Sequence, residues 1–438
     1  MTIGVLLVRE EVLPLMHDGV ASRLAPLLSK IMLGEEWDGG TASDLPIQVR
    51  AWDGSVIGPP GAPAFVIRHR RALRRLLWKP GEMGLVRAYV AGELDIEGDV
   101  FAALDAVQRV MRSGDEQIRL SSDDKREIVR TAVMLGAVGP EPKPPPEEFP
   151  PGRRGDRSSG PLTESAAFFA RMLGPEMAHS GGLWDEAIDL DDAQRTALES
   201  VTERLSLFQG ARVLDLNAGW GALACHLAAR HGCRVVALTR TPEQAAYIKD
   251  RAAGLGDRVQ VLGWDLDEAG RGPYDAIVGL TEIEPLDRDA ARLYELLAPG
   301  GRLVLQQPVR RPGPHRVRRT FTTSYMFPED GELLPLGELI ATLENAGLEV
   351  RGVAALREHH ARTLRAWAAN LERHWAECVE LAGIGRARVW LLYLAASALA
   401  TESGRIGVHE IRAIRRDRDG RAGTTLVEGR SVPGRVAP

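Results

Sequence analysis

Residues 212–221 read Arg-Val-Leu-Asp-Leu-Asn-Ala-Gly-Trp-Gly. An apolar strand ends in Asp215 and turns through Asn217, Gly219 and Gly221. A helical run, Ala-Leu-Ala-Cys-His-Leu-Ala-Ala-Arg, follows at once, and the pattern starts it near Gly219. Small residues at such a turn let the backbone pass close to a ligand, and the helix N-terminus offers N–H groups with no intrahelical partner. The spacing therefore predicts a strand–loop–helix cradle for a nucleotide-like ligand. A dinucleotide fold would carry Gly-x-Gly-x-x-Gly and an acid at the end of the second strand. Here the second strand, 234–238, runs into Thr-Arg-Thr-Pro-Glu-Gln at 239–244 and has no acid at its tip. Asn217 stands at the first turn position; Asn tolerates positive φ, so the turn can still close. Alone, the turn does not exclude an unrelated α/β protein.

The elements that must hold this turn follow from periodicity. Strands are predicted near 212–216, 234–238, 258–262, 274–279, 301–306, 348–354 and 406–414, with helices between them and a long helical pair around 360–400. Such alternation means a parallel sheet covered on both faces, with ligands beyond the C-terminal strand ends. Upstream, residues 20–138 read as a small α+β domain. Alternating strands fall at 46–52 and 64–68, with a turn at Asp53-Gly54 and a helix over 72–78. Between the two lies Gly-Pro-Glu-Pro-Lys-Pro-Pro-Pro-Glu-Glu-Phe-Pro-Pro-Gly at 139–152. Repeated prolines favour extended geometry, and the polar run to 160 prolongs the spacer. The expected division is 1–138, a linker at 139–160, a second domain at 161–415, and an Arg/Gly-rich tail at 416–438.

Composition narrows the function classes. The chain has 438 residues and 44 % apolar content, with no apolar run long enough to span a bilayer. The start lacks a basic region before its apolar stretch, so a secretory signal is not expected, and the cytoplasm is. Cys225, Cys233 and Cys378 have no metal-ligand spacing and read as buried thiols; no metal site is expected. A net charge of −5 gives no support for nucleic-acid binding. Basic residues nevertheless cluster at 68–79 and 310–319. Either run can be a solvated face, or both can meet an anionic membrane surface.

Further strings sharpen the reading. Besides 212–221 and 239–244 there are Gly-Trp-Asp at 263–265, Tyr-Asp-Ala-Ile-Val at 274–278 and Phe-Thr-Thr-Ser-Tyr-Met-Phe-Pro at 321–328. Downstream come Leu-Arg-Glu-His-His-Ala-Arg-Thr-Leu-Arg-Ala-Trp at 356–367, Val-Trp-Leu-Leu-Tyr-Leu-Ala-Ala-Ser at 389–397 and Gly-Arg-Ile-Gly-Val-His at 404–409. Over most of 161–415 these resemble the cyclopropane fatty acid synthase family of S-adenosylmethionine (SAM)-dependent methyltransferases, including its mycolic acid branch. Residues 87–98 resemble that family's N-terminal domain. The resemblance implies an α/β fold of the class I SAM-methyltransferase type, Rossmann-like, with a mostly parallel seven-stranded sheet and a smaller N-terminal α+β domain. It implies methyl transfer to the double bond of unsaturated phospholipid or fatty-acyl chains, giving cyclopropane or methylene-branched products. It also places the protein peripherally at the inner membrane surface and leaves a homodimer open.

For the cofactor, Asp215, Asn217, Gly219, Trp220 and Gly221 suit the ammonium and methionyl segment. Thr239 and Gln244 suit the ribose. Trp264 suits the adenine face and Asp265 its exocyclic amine, although Trp264 also reads as core and Asp265 as a helix cap. The resemblance implies a bicarbonate base held by Cys, Glu, His and Tyr. Glu284 and Tyr325 match that set. Gly181 stands for the Cys and Gln306 for the His, and Pro-Leu-Thr at 161–163 replaces the family's His-Tyr-Asp. Bicarbonate should then be held weakly. His179, two residues before Gly181, is the reserve base, or else a plain loop or core histidine. Two other readings stay open: a SAM-binding paralogue acting as a partner or regulatory subunit, and a small-molecule methyltransferase.

Overall fold

The computed structural model describes residues 19–33, 45–113, 122–150, 164–280, 286–313, 320–327, 333–416 and 419–420. Two compact units divide the chain, Met1–Pro145 and Pro146–Pro438. The boundary falls inside the proline-rich run.

In the first unit four short strands form a sheet of order β2-β1-β3-β4: β1 Gln48–Arg50, β2 Val56–Ile57, β3 Ala64–Ile67 and β4 Leu94–Glu97. Asp53 closes the β1–β2 turn by accepting from Ser55 N at 3.1 Å. Ile47, Val49, Phe65, Ile67 and Leu94 build the core with Ala88 and Ala103. The basic run at 68–79 lies along the helix Arg71–Trp78, and part of it is matched within this unit. Arg75 is buried with its Nε 2.8 Å from Glu93, and Arg71 reaches the same carboxylate at 3.3 Å. Arg68 pairs with Asp95 at 3.0 Å, and Arg74 donates to the Ala137 carbonyl. A charge neutralised at contact range projects little field beyond a Debye length of about 8 Å.

The second unit is built on seven strands: β5 Arg212–Asp215, β6 Arg234–Thr239, β7 Val259–Gly263, β8 Tyr274–Gly279, β9 Leu297–Arg310, β10 Leu348–Ala355 and β11 Ile406–Arg415. Their order is β10-β11-β9-β8-β5-β6-β7. Strands β5 to β9 run parallel, and β11 lies antiparallel between β9 and β10. Successive strand residues feed opposite faces. Val213, Val235, Ala276 and Val278 pack under the helices Leu190–Leu205 and Ala222–Arg230. Leu214, Ile277, Leu303 and Leu305 pack with Leu293, Leu339 and Leu343 on the other side. Each such Val, Leu or Ile side chain contributes about 2 kcal/mol on burial. This double cover is why these strands read as nearly continuous apolar runs.

The proline-rich stretch is anchored as well as extended. Trp78 Nε1 donates to the Gly139 carbonyl, and Arg87 pairs with Glu141 at 3.1 Å. Within the second unit, Phe149 N donates to the Ser324 carbonyl at 2.8 Å. Pro161, Leu162 and Thr163 lie outside the described residues, as does the tail beyond 420. The cysteines are buried free thiols. Among the described residues no helix is long and apolar enough to cross a membrane.

Candidate active site

The 215–221 turn leaves the C-terminal end of β5 between the ends of β6 and β8. Leu216 N donates to Val278 O at 2.8 Å and Ala218 N to Leu238 O at 2.9 Å, so the backbone continues the sheet geometry through Asn217. The left-handed positions are therefore Gly219 (φ 53°) and Gly221 (φ 80°), not Asn217. The helix begins at Ala222, later than the pattern alone suggested. The two glycines serve different ends. A Cβ on Gly221 would lie 2.8 Å from Ile248 Cγ1, which makes that residue a packing requirement. A Cβ on Gly219 would meet only His179 Cβ, at 4.0 Å, so it would project into open space above the turn.

Asp215 is buried at the β5 tip. Burial pushes its carboxyl up to about 7, against one backbone hydrogen bond from Asn217. A carboxylate so placed fits an incoming ammonium. Thr241 caps the helix Pro242–Arg251, with Pro242 in its first turn. This fixes Gln244, which is fully buried. Its Oε1 accepts from Arg240 N at 3.2 Å, while its Nε2 has no hydrogen-bond partner. An orphaned buried donor is costly unless a ligand satisfies it. Thr239 is buried and donates its hydroxyl to the Leu262 carbonyl at 3.3 Å, so it offers a ligand an acceptor. The Arg240 guanidinium lies 4.4 Å over the Trp264 ring and covers one of its faces. Asp265 caps a short helical turn by accepting from Asp267 N at 2.9 Å. These groups fit SAM at its ammonium and ribose ends.

Above the turn sits an aromatic group. Phe169 lies 5.2 Å from Trp220 and 5.4 Å, edge-on, from Trp390. His179 packs between Phe169 at 6.0 Å and Trp367 at 5.6 Å. The loop carrying His179 starts at Met177, which holds a strained positive φ of 51°. It docks on the helix Arg357–Arg373 through Gly182 N to Thr363 Oγ1 at 3.0 Å and Trp184 N to His359 Nδ1 at 3.0 Å.

That helix also supplies His360, a residue not singled out from the sequence; the doubled histidine at 359–360 was the available signal. A Cβ at Gly181 would sit 3.4 Å from His360 Nδ1, so the imidazole flanks the position where the family pattern has Cys. His179 and His360 each keep part of their surface. Burial nevertheless pushes both down to about 4, with His360 and Arg240 adding to the effect on His179. Both rings are therefore neutral near pH 7.

Two of the other expected base-holding groups have carboxylate partners. Gln306 Nε2 donates to Glu410 Oε2 at 3.3 Å, and the fully buried Glu410 pairs with Arg204 at 3.0 Å. Tyr325 is buried and donates its hydroxyl to Glu148 Oε2 at 3.1 Å. Gly181 has no side chain. Glu284 lies outside the described residues.

The sheet order, with a glycine turn at the tip of β5 and a buried acid beside it, defines a class I SAM-dependent methyltransferase. Residues 162–411 match the family Mycolic acid cyclopropane synthetase. A probable fatty acid methyltransferase of Mycobacterium tuberculosis is 32 % identical over 408 residues, covering 85 % of this chain and 92 % of its own. Another, from Pseudomonas putida, is 31 % identical over 397 residues, covering 86 % and 93 %. The cyclopropane synthase MmaA2 of M. tuberculosis shares the fold at a TM-score of 0.54 and 24 % identity, over 59 % of this chain and 96 % of that one. The chain belongs to the mycolic acid cyclopropane synthetase family, and it is an enzyme that uses SAM.

Proposed function

We propose that this enzyme adds a methyl-derived carbon to the double bond of unsaturated acyl chains carried by phospholipids, giving a cyclopropane or a methylene branch. The observation that carries the reading is His179, a neutral imidazole set between Phe169 and Trp367 against Gly219. The relatives named as fatty acid methyltransferases support the substrate class.

SAM supplies an electrophilic methyl group when bound. In this proposal Asp215 holds its ammonium, and the backbone of Asn217, Gly219 and Gly221 passes along its methionyl segment. Trp220 backs the turn. Gln244 and Thr239 meet the ribose, and Trp264 and Asp265 meet the adenine. Aromatic faces at Phe169, Trp367 and Trp390 favour positive charge on a nearby acyl carbon, by about 0.5–2 kcal/mol each. A proton must then leave the added methyl group, whose C–H electron pair closes the cyclopropane, or a carbon next to the cationic centre, whose C–H pair forms the new double bond. A C–H bond beside a cationic carbon is so strong an acid that an imidazole near 4 suffices as base, and a neutral one does not compete with the substrate charge. His179 takes the proton and His360 positions it, with Glu284 in the orienting part that the family motif gives it. With His179 as base the proposal needs no bicarbonate; the carboxylate partners of Gln306 and Tyr325 and the missing side chain at Gly181 agree with a weakly held anion. The acyl chain would reach the site from an anionic bilayer surface, a setting we infer from the chemistry of the substrate.

His179→Gln should lower turnover about a hundredfold, the lower range for loss of a general base, and leave SAM affinity within about twofold. Single-turnover kinetics with isothermal titration would show this; unchanged turnover removes His179 from the mechanism. The substrate itself is tested by expression in a host without cyclopropane lipids. Mass spectrometry should find acyl chains heavier by one CH₂. The engaged state of Gln306 and Tyr325 favours one competing reading, a SAM-binding paralogue without catalysis. Unmodified lipids, together with intact SAM binding, would establish that reading instead.

A further inference from the structure

A cluster of potential metal ligands lies away from the cradle. Glu199 on the helix Leu190–Leu205 faces His226 on the helix Ala222–Arg230 and His231, that helix's C-cap. Glu199 Oε2 is 3.6 Å from His226 Nε2 and 3.7 Å from His231 Nε2. All three ligand atoms fall within 4.8 Å of one another. Both Nε2 atoms are buried and have no hydrogen-bond partner. The His226 side chain is only 10 % exposed.

These separations are informative. A histidine–carboxylate hydrogen bond closes to about 2.8 Å, so 3.6 and 3.7 Å leave the two nitrogens unsatisfied. Two ligands of a tetrahedral zinc, each about 2.1 Å from the ion, stand about 3.4 Å apart. The gap is too wide for a hydrogen bond and close to the span of a shared cation.

We propose that Glu199, His226 and His231 bind one divalent transition-metal ion of the Zn²⁺ type, with water completing the shell. His231 is 34 % exposed and Glu199 46 %, so the cluster lies near the protein surface. Burial, then His231 and Arg230, hold His226 below the ordinary imidazole range against the pull of Glu199 and Glu176. The C-terminal end of the Ala222–Arg230 helix adds a partial negative charge beside His231. Arg230 lies 3.8 Å from the other oxygen, Glu199 Oε1, and is 66 % exposed. Its charge weakens the site but is screened by solvent.

Nine residues separate this end of the helix from the Gly221 turn, roughly 14 Å along the axis. The ion therefore takes no part in the methyl transfer proposed above. It would fasten the helix Leu190–Leu205 to the helix that bears the cradle. Two spaced histidines and a glutamate on another helix show no recognisable metal spacing in sequence. The expectation of no metal, drawn from the cysteines, did not reach them.

The full chain, stripped with a chelator, should bind Zn²⁺ stoichiometrically in competition with a chromophoric chelator. Co²⁺ should give visible d–d absorption of a low-coordinate nitrogen–oxygen site, and Zn²⁺ should raise the melting temperature. His231→Ala and Glu199→Ala change partly exposed positions, so both should fold. Each should weaken Zn²⁺ binding at least tenfold, since loss of a mere outer-shell partner costs 10- to 100-fold. SAM affinity should stay within about twofold in both. Either of two results overturns the proposal: no stoichiometric Zn²⁺ binding, or variants that bind Zn²⁺ like the parent, which would place the ion on others of the ten histidines.

Discussion

Gly219→Val should abolish measurable SAM binding while the second unit stays folded. The reason is an asymmetry between the two turn glycines. Both hold left-handed φ, but only Gly221 is packed against a side chain, at 2.8 Å from Ile248 Cγ1 to the position of a Cβ. Gly221→Val should therefore lose binding and fold together. At Gly219 the Cβ direction is open except for His179 at 4.0 Å. A valine there meets the strain of its backbone conformation, about 1–2 kcal/mol, and fills the volume the ligand needs. Circular dichroism should give a melting curve near that of the parent, and titration calorimetry should give no heat. A folded Gly219→Val variant with unchanged SAM affinity would move the cofactor away from this turn.

Asp215→Asn should weaken SAM about a thousandfold, yet stabilise the SAM-free protein above pH 7. Removing one partner of a buried ion pair costs about 4 kcal/mol, which is about three decades in Kd. The stability effect has the opposite sign. Burial holds the folded carboxyl near 7, while the unfolded chain ionises near 3.8. Between those values the folded state keeps a proton that the unfolded state has lost. Stability from this group is therefore present below about pH 4 and falls as pH rises toward 7. Asparagine removes that slope and keeps an acceptor for the Asn217 N–H. In the parent, SAM affinity should rise with pH up to about 7 and then level off, because the ammonium needs the carboxylate. Thermal melts and titrations across pH 5–8 read both effects. A variant with parental affinity, or a parent whose affinity does not change below pH 7, would remove Asp215 from the ammonium site.

The parallel part of the sheet was legible because both of its faces are covered. Val213, Val235, Ala276 and Val278 serve one face, and Leu214, Ile277, Leu303 and Leu305 the other, which leaves unbroken apolar runs between turns. The antiparallel placement of β11 was not legible, since direction depends on how the helix Ile384–Glu402 returns the chain to the sheet. Glycine identity marked the turn, but which residues take left-handed φ depended on hydrogen bonds to Val278 and Leu238 from other strands. Asp215 stood out by its place at the strand end, and Gln244 through the family resemblance. The neutrality of His179 did not, because it arises from burial and from His360, far along the chain. In the run at 68–79, the pairing of Arg71 and Arg75 with Glu93 and of Arg68 with Asp95 was not legible, because the partners come from β4 and the residue just before it, further along the chain.

The aromatic group around Gly219 has an optical consequence. Three of the nine tryptophans, Trp220, Trp367 and Trp390, are each no more than 3 % exposed and stand within ring-contact range of Phe169 or His179. Indoles so shielded from water emit at short wavelength, and a neighbouring sulfonium or a displaced imidazole quenches them. The enzyme thus carries tryptophans at the place where cofactor and acyl chain would meet in the proposal above, and filling that place should change its intrinsic emission without any label.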